Sequence, residues 1–412
     1  MNKKAAVVGA GISGLYACLL LEQQGYSVDL FEKSDVIGGR LKSQKKSGFI
    51  LDRGFHVMQT GYQTASKVFN YQQLGCKPFE PGALVIRPSA DGAKVWRFSD
   101  PFRRPIRGLL GAFNLFTSPL NLLRVGLMRL TISRVRDEDI FLQQSQTTLD
   151  FLRSRGFSEG FIQSFFRPLF GGIFLESDLR TDSRMFHFVF KNMSRGDMVL
   201  PKDGIASCAQ QLFDQLGSTK LNLGVEVAIK SERDLQFQGK TLTYDLIIKA
   251  FAEADKVETR DVWTVYFSAP KSPLKANYIM LNSAVNQQTN IISHLAVPSD
   301  IQPNYAPPGM ALVAVTVVGE DAKKQSLVDA DSIEQAVLKE LSQWFPDEIE
   351  SWNTLDVQHV KQALPECVNI GQISHDSPQL NNTCGDHTTH GSVEGALISA
   401  QLVVTESLKN AP

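Results

Sequence analysis

The sequence predicts an α/β protein: a Rossmann-type dinucleotide-binding domain with a second, α+β domain inserted into it. Three observations predict this. An apolar run at residues 5–8 enters Gly9-Ala10-Gly11-Ile12-Ser13-Gly14. A second apolar run then ends at Glu32, followed by Gly38-Gly39-Arg40. Near the far end of the 412 residues a strand-turn-helix pattern returns, with residues 382–384, Gly385-Asp386 and a helix from Gly395 to about Leu408. A domain built from both ends of a chain implies an insertion between them.

Each part of the N-terminal unit meets a need of a bound dinucleotide. Gly9 allows the tight turn from strand to helix, Gly11 lets backbone approach a pyrophosphate, and Gly14 lets the helix pack closely on the sheet. The helix start then directs N–H groups and its positive dipole end at the phosphates. Glu32 stands 18 residues beyond Gly14, where a carboxylate accepts both ribose hydroxyls and repels a 2′-phosphate.

Between the ends, residues 1–85 read as a βαβ unit, a loop and a hairpin-like region. From 86 to 196 the pattern is mostly helical, with arginines and aromatics. Pro201-Lys202-Asp203-Gly204-Ile205 opens an amphipathic helix to about Leu216. Short strands follow at 220–229, 235–237 and 241–248, then period-two stretches at 262–267 and 311–318, and a helix over 332–345. The expected domains are 1–85, 197–255 and 352–412 for dinucleotide binding, and 86–196 with 256–351 for the insertion.

Composition narrows the class. The chain is 43% hydrophobic and 21% charged, the balance of a soluble globular protein. Its net charge of -1 offers no attraction to nucleic acid. Cys18, Cys76, Cys208, Cys367 and Cys384 show neither a C-x-x-C pair nor zinc spacing, and read as free thiols in a reducing compartment. The lysines before the first apolar run have the outline of a signal peptide, but the glycine fingerprint accounts for that run better. No stretch is apolar enough to span a bilayer. The expected location is cytoplasmic.

These residues resemble the flavin-containing amine oxidase superfamily, which includes protoporphyrinogen oxidases and phytoene-type carotenoid desaturases. The resemblance is carried by the N-terminal fingerprint, by Gly48-Phe49-Ile50-Leu51-Asp52-Arg53-Gly54-Phe55-His56, and by Cys384-Gly385-Asp386 through Gly395-Ala396. Phe166-Arg167-Pro168-Leu169-Phe170-Gly171-Gly172-Ile173-Phe174 and the Pro201 run add to it. It implies an amine oxidase or glutathione-reductase-2-like fold and noncovalent FAD. The implied cofactor residues are Gly9, Gly11, Ser13, Gly14, Glu32, Lys33, Gly39, Arg40, Gly54, Phe55, Val227, Gly385, Asp386, Val393 and Ala396. Arg40 would place positive charge by the pyrophosphate and ring, and Gly54 would let backbone approach the ring. Val227 would bond adenine through its backbone, and Asp386 would accept from a ribityl or pyrophosphate-side hydroxyl. Val393 would offer its N–H to the flavin O2 edge, at a helix start that favours the anionic reduced ring.

Three departures from the family pattern stand out. Ser392 replaces the aromatic residue that walls an amine cage. Lys249-Ala250-Phe251 follows a strand where the family has small residues. No lysine is placed to hold a water near the flavin. The first and last weigh against a simple primary-amine oxidase.

Flavin N5 accepts hydride, so the chemistry requires no protein nucleophile. His56 is the candidate catalytic residue, beside Gly54. His387 and His390 lack a third ligand, so no metal is expected; either a histidine bonds the flavin or the pair is a polar loop. Residues 101–136 hold seven arginines and no acid among many leucines. They read as a peripheral membrane patch, an anion-binding surface, or a solvated helix pair. The Phe165–174 run suits either a pocket wall or packing.

The leading reading is an FAD-dependent oxidoreductase. It would take hydride from an apolar, aromatic or polyene-like small molecule at a CH–CH or CH–NH bond, with oxygen or a quinone-like acceptor reoxidising the flavin. The alternatives are a flavin-dependent isomerase of a lipophilic substrate and a non-catalytic lipid or prenyl escort.

Overall fold

A computed structural model describes residues 3–89, 92–99, 103, 118–253, 257–285, 287, 289–366 and 382–409. β1 (Lys4–Val8) turns at Gly9 into α1 (Ile12–Gln23), which returns to β2 (Ser27–Phe31). A Cβ at Gly14 would stand 1.9 Å from the Gly9 carbonyl oxygen and 3.1 Å from Ala250 Cβ. Only glycine lets α1 lie this close to the strand ends.

β3 (Ser43–Lys46) and β4 (Phe49–Asp52) form a hairpin. β5 (Met58–Gln59) and β6 (Lys77–Pro78) follow, then β7 (Gly82–Ser89) and β8 (Gly92–Ser99), which pair with each other. The expected helical stretch from 86 therefore begins as strands. Leu84 and Ile86 enter one core while Ala83 and Val85 enter another, so the run carries no polar alternation to mark it. Helices then span Pro119–Arg134, Asp137–Ile140, Thr148–Ser154, Arg167–Phe174 and Ser183–Arg195, with a wide π turn at Ile162–Phe166.

After β9 (Met198–Leu200) the expected amphipathic helix covers Ala206–Phe213. The expected strand over 220–229 is broken at Gly224, whose φ is +65°, into β10 (Lys220–Asn222) and β11 (Ala228–Ile229). β12 (Asp234–Phe237), β13 (Lys240–Thr243) and β14 (Leu246–Lys249) complete this region. Next come β15 (Thr259–Ala269), β16 (Met280–Asn282), β17 (Ile292–Ala296) and β18 (Ala311–Val318), the Ala330–Trp344 helix, β19 (Asn353–Pro365) and the final helix, Val393–Lys409. Residues 382–384 form only a bridge from Thr383 to Lys249 rather than a strand.

Two sheets organise the chain. The first is parallel, in the order β10-β2-β1-β14, with α1 and the final helix packed together in its core. The second has seven strands in the order β19-β15-β18-β17-β16-β7-β8. β19 pairs with β15 through most of its length and β7 starts before residue 86, so this sheet runs across the positions of the boundaries expected at 86 and 352. One face, with Trp263, Val265, Phe267, Val313, Val315 and Val317, packs on the Ala330–Trp344 helix. The opposite face, with Tyr266, Leu312 and Ala314, packs on β4.

Candidate functional site

The two ends of the chain meet where α1 begins. Gly11 caps α1 and has no side chain to bond the first N–H groups. A Cβ at Gly39 would stand 3.1 Å from Gly11 Cα, so two bare backbones face each other over the helix start. Glu32 is buried at the end of β2, where one carboxylate oxygen accepts from Ala10 N–H and the other from Ser34 N–H, each at 2.8 Å. Those bonds fix the carboxylate and leave each oxygen a second lone pair. The chain around Gly224 crosses beside it, with Val225 N–H donating to the Glu32 carbonyl at 2.9 Å and Val227 half-buried nearby. Lys33 is exposed.

From the C-terminal end, Gly385 N–H donates to Ser399 Oγ at 2.9 Å, and buried Asp386 forms an ion pair with Arg40. Arg40 also donates to the Ala363 carbonyl at 3.0 Å, tying this corner to β19. Ser13 Oγ donates to the Ala396 carbonyl, so the Ser13 side chain and the Ala396 backbone serve the contact between the helices. Ala250 accounts for one departure from the family pattern. It is the residue against Gly9 and Gly14, while Lys249 pairs with Glu253 and Phe251 is exposed.

Ser392 accepts Gly395 N–H at 2.9 Å, so it is the N-cap of the final helix; its oxygen also lies 3.0 Å from His390 Nδ1. His390 is buried, stacked on Phe141 at 5.1 Å and tilted against Phe188 at 4.4 Å. Burial lowers its pKa to about 3, so the ring is neutral. Glu394 accepts from Thr64 and Ala65 N–H at 2.7 and 2.8 Å, anchoring the same helix start.

Gly54 N–H donates to Gln358 Oε1 at 3.0 Å, and its carbonyl accepts from Tyr266 at 3.2 Å. His56 Nδ1 lies 3.1 Å from the same carbonyl; with Nδ1 as the donor, Nε2 is the acceptor. Burial lowers the pKa of His56 against the opposing pull of Asp52. His387 is likewise lowered by burial. Among the described residues no group of three metal-binding side chains occurs.

A cavity of about 120 Å³ lies behind Phe79. Phe79, Phe98, Phe165, Phe166, Phe170 and Phe190 line it, with Arg103 and Arg129 in its wall. Phe55 meets Phe79 edge-on, with ring centres 6.3 Å apart. Arg103 pairs with Asp197, and Arg129 donates to the Ser194 carbonyl at 3.0 Å. Arg104 and Arg107 lie outside the described residues.

A flavin-containing amine oxidoreductase family model matches residues 12–234 and 236–406. The chain belongs to this family. Its cofactor is FAD, and it is an FAD-dependent oxidoreductase with an FAD-binding domain and a substrate domain. Among solved structures, an oxidoreductase from Methanosarcina mazei is similar with a TM-score of 0.72, 17% identity, and coverage of 97% of this chain and 99% of that one. Cyclohexylamine oxidase from Brevibacterium oxydans IH-35A has a TM-score of 0.70, 15% identity, and coverage of 100% and 99%. At these identities the likeness is one of fold. A 4,4'-diapophytoene desaturase of Staphylococcus aureus is 47% identical over 51 residues, 12% of this chain and 10% of the desaturase.

The residues fit FAD. The facing glycines at 11 and 39 leave a cradle that a Cβ would fill, and Glu32 keeps lone pairs for ribose. Sequence reasoning missed Gln358, Glu394 and Tyr266. Nothing local marks them: Gln358 is one of several polar residues on its strand, and Glu394 and Tyr266 are not among the motif positions that imply a role.

Proposed function

We propose that the protein takes hydride from an apolar or aromatic small molecule at a CH–CH or CH–NH bond, with oxygen or a quinone-like acceptor reoxidising the flavin. The phenylalanine-lined cavity carries this reading, because Phe55, next to the Gly54 backbone expected to approach the ring, packs edge-on against Phe79 in its wall. Bound FAD supplies the two-electron acceptor. In this reading the start of α1, Gly11 and Gly39 receive the pyrophosphate, Gly9 and Gly14 let the turn form and α1 pack on the sheet, and Arg40 is fixed positive charge. Glu32 holds the ribose, Val227 the adenine through its backbone, and Gly385-Asp386 the ribityl side. Val393 N–H faces the ring, and Ser13 and Ala396 hold the two motifs together. His56 Nε2 is neutral and able to accept a proton. We assign β7 and β19 to the substrate domain.

The four described cysteines are free, which supports a reducing, cytoplasmic setting, and the Pro119–Arg134 helix beside the cavity is the surface we propose for peripheral membrane contact.

The test is anaerobic. The purified protein should show flavin absorption that heat releases to the supernatant, and bleach when an amine, porphyrinogen or polyene substrate is added without reductant. Turnover only after chemical reduction would assign an isomerase instead. A colourless protein that takes up no FAD would refute the reading.

A further inference from the structure

Two side chains that the cofactor reading leaves unused grip the Gly54 peptide. Gly54 N–H donates to Gln358 Oε1 at 3.0 Å. Its carbonyl lies 3.2 Å from the Tyr266 hydroxyl, which also donates to the Asp52 carbonyl at 2.9 Å. Both side chains come from the seven-stranded sheet. Gln358 on β19 pairs with Thr264 on β15, and Tyr266 stands two residues further along β15. Paired residues share a face, as do residues two apart on a strand, so both reach Gly54 from one side. Gly54 itself has φ of +82°, a conformation that favours glycine and that its contacts must hold.

Neither grip can turn around. Gln358 Nε2 donates to Asp356 Oδ2 at 2.9 Å, and Gln44 Nε2 donates to the same oxygen at 2.7 Å. A carboxylate only accepts, so Asp356 takes the NH2 end of the Gln358 amide and turns its oxygen toward Gly54. Tyr266 is buried, and burial pushes its pKa well up, so its hydroxyl stays a donor.

The carbonyl held in this way is the one that meets His56. Nδ1 of that ring lies 3.1 Å from Gly54 O. A carbonyl cannot donate, so Nδ1 carries the proton and Nε2 is the acceptor; the oxygen has two lone pairs, enough for Tyr266 and His56 together. Burial lowers the pKa of the ring, Asp52 pulls the other way, and Arg40 and Arg53 add to the lowering. Of the two neutral tautomers, the contact with Gly54 selects one.

We propose that Gln358 and Tyr266 are positioning residues for the reaction: by holding the Gly54 peptide they lock His56 in its Nδ1–H tautomer, with Nε2 presented as the proton acceptor. Asp356 acts one step further out, by orienting Gln358. The inference rests on the oxidoreductase reading, which sets Gly54 beside the flavin. In that reaction the substrate loses a hydride to FAD and a proton from the adjacent atom to Nε2, and a double bond forms between the two atoms.

Selective 15N-histidine labelling reads the tautomer by NMR in FAD-free and FAD-loaded protein, with His56→Gln identifying the resonance. In the wild type His56 should be in the Nδ1–H form at neutral pH. Gln358→Met keeps the length of the side chain, and Tyr266→Phe removes one hydroxyl. Each should lower the ratio of the Nδ1–H to the Nε2–H form about fivefold, which is what one hydrogen bond is worth. Asp356→Asn, at the partly exposed end of the network, should act in the same direction by letting the Gln358 amide turn over. All three should still take up FAD, so the tautomer separates positioning from a general loss of structure. A wild-type His56 in the Nε2–H form, or a ratio that none of the variants moves, would overturn the inference. If both buried variants fail to fold, Asp356→Asn decides. Either overturning result in a protein that takes up FAD refutes this inference alone; failure to take up FAD refutes the oxidoreductase reading beneath it.

Discussion

The Ser13 hydroxyl donates to the Ala396 carbonyl across 2.9 Å, joining residues 383 positions apart at the point where α1 meets the final helix. It is a buried bond between the two halves of the proposed cofactor site. Ser13→Ala should lower stability by about 0.5–1.5 kcal/mol, the net worth of such a bond. Urea unfolding of FAD-free protein measures it. The loss should persist without FAD, because both partners belong to the chain; a loss seen only in the FAD-loaded form would assign the hydroxyl to the cofactor.

Glu32 is held by two backbone N–H groups, so its carboxylate is oriented before any ligand arrives. Glu32→Gln keeps the shape but cannot accept at both ends, since one end is now a donor. FAD affinity should fall by roughly 1.5–3 kcal/mol, about tenfold or more, as hydrogen bonds to a charged group are lost. Fluorescence titration of FAD into apoprotein reads this directly. An unchanged Kd would remove Glu32 from the ribose site.

Much of this arrangement is legible in the sequence because it is local. Gly9 to Gly14, Glu32 and Gly385-Asp386 sit in short motifs whose spacing is dictated by backbone geometry. The large sheet is harder to read. β7 is apolar on both faces, so it carries no alternation to separate it from helix. Gln358, Thr264, Thr316 and His294 come side by side on one face through strand register alone, and the threonines look like ordinary strand formers. Ala250 shows the reverse case: the run around it looks wrong for the family, yet the one residue facing the glycine turn is small.

Ser392 stands where the family pattern has an aromatic residue, and its structural role is to cap the final helix through Gly395 N–H. Ser392→Ala should cost about 1 kcal/mol by removing the cap. It should also loosen Val393 and weaken FAD retention, whereas Ser392→Asp, another capping residue, should restore helix stability. Thermal melts and FAD titration on the two variants separate the effects. Equal stability in Ser392→Ala and wild type would show that the cap is not needed.

Glu340 lies buried in the Ala330–Trp344 helix and accepts from Ile291 and Ile292 N–H at 2.8 and 3.1 Å and from Asn282 at 2.7 Å. Desolvation raises its pKa from 4.5 to about 7 despite those bonds. A carboxyl whose folded pKa is raised binds its proton more tightly in the native state. Its contribution is therefore full below about pH 4.5 and is lost as pH rises through about 7. The effect is on the order of 3 kcal/mol across that window. Urea denaturation at several pH values should show this loss in the wild type but not in Glu340→Gln, which stays neutral throughout. Parallel profiles for the two proteins would contradict it.

The outer face of the Pro119–Arg134 helix carries Leu120, Leu123, Leu127 and Leu130, exposed by 52%, 59%, 54% and 50%. Their spacing of three, four and three residues aligns them in one stripe. The helix has no acid, and Arg134 is exposed at its end. The acids that follow are engaged: Asp137 pairs with Lys191 and Arg195, while Glu138 and Asp139 pair with Arg136. Val125 and Arg129, on the inner side of the same helix, line the phenylalanine cavity. No helix among the described residues is long and apolar enough to cross a membrane, so contact would be peripheral. Burying half-exposed leucines yields roughly 1 kcal/mol each, and basic residues add about as much apiece near anionic lipid. Binding should therefore be reversible, salt-sensitive and stronger on vesicles of phosphatidylcholine with phosphatidylglycerol than on phosphatidylcholine alone. Leu123→Asp combined with Leu127→Asp should abolish flotation with either vesicle while leaving FAD content intact. A wild type that stays in the soluble fraction with both compositions would rule out membrane contact through this stripe. Loss of self-association in the double variant, without any vesicle binding by the wild type, would assign the stripe to a second copy of the chain.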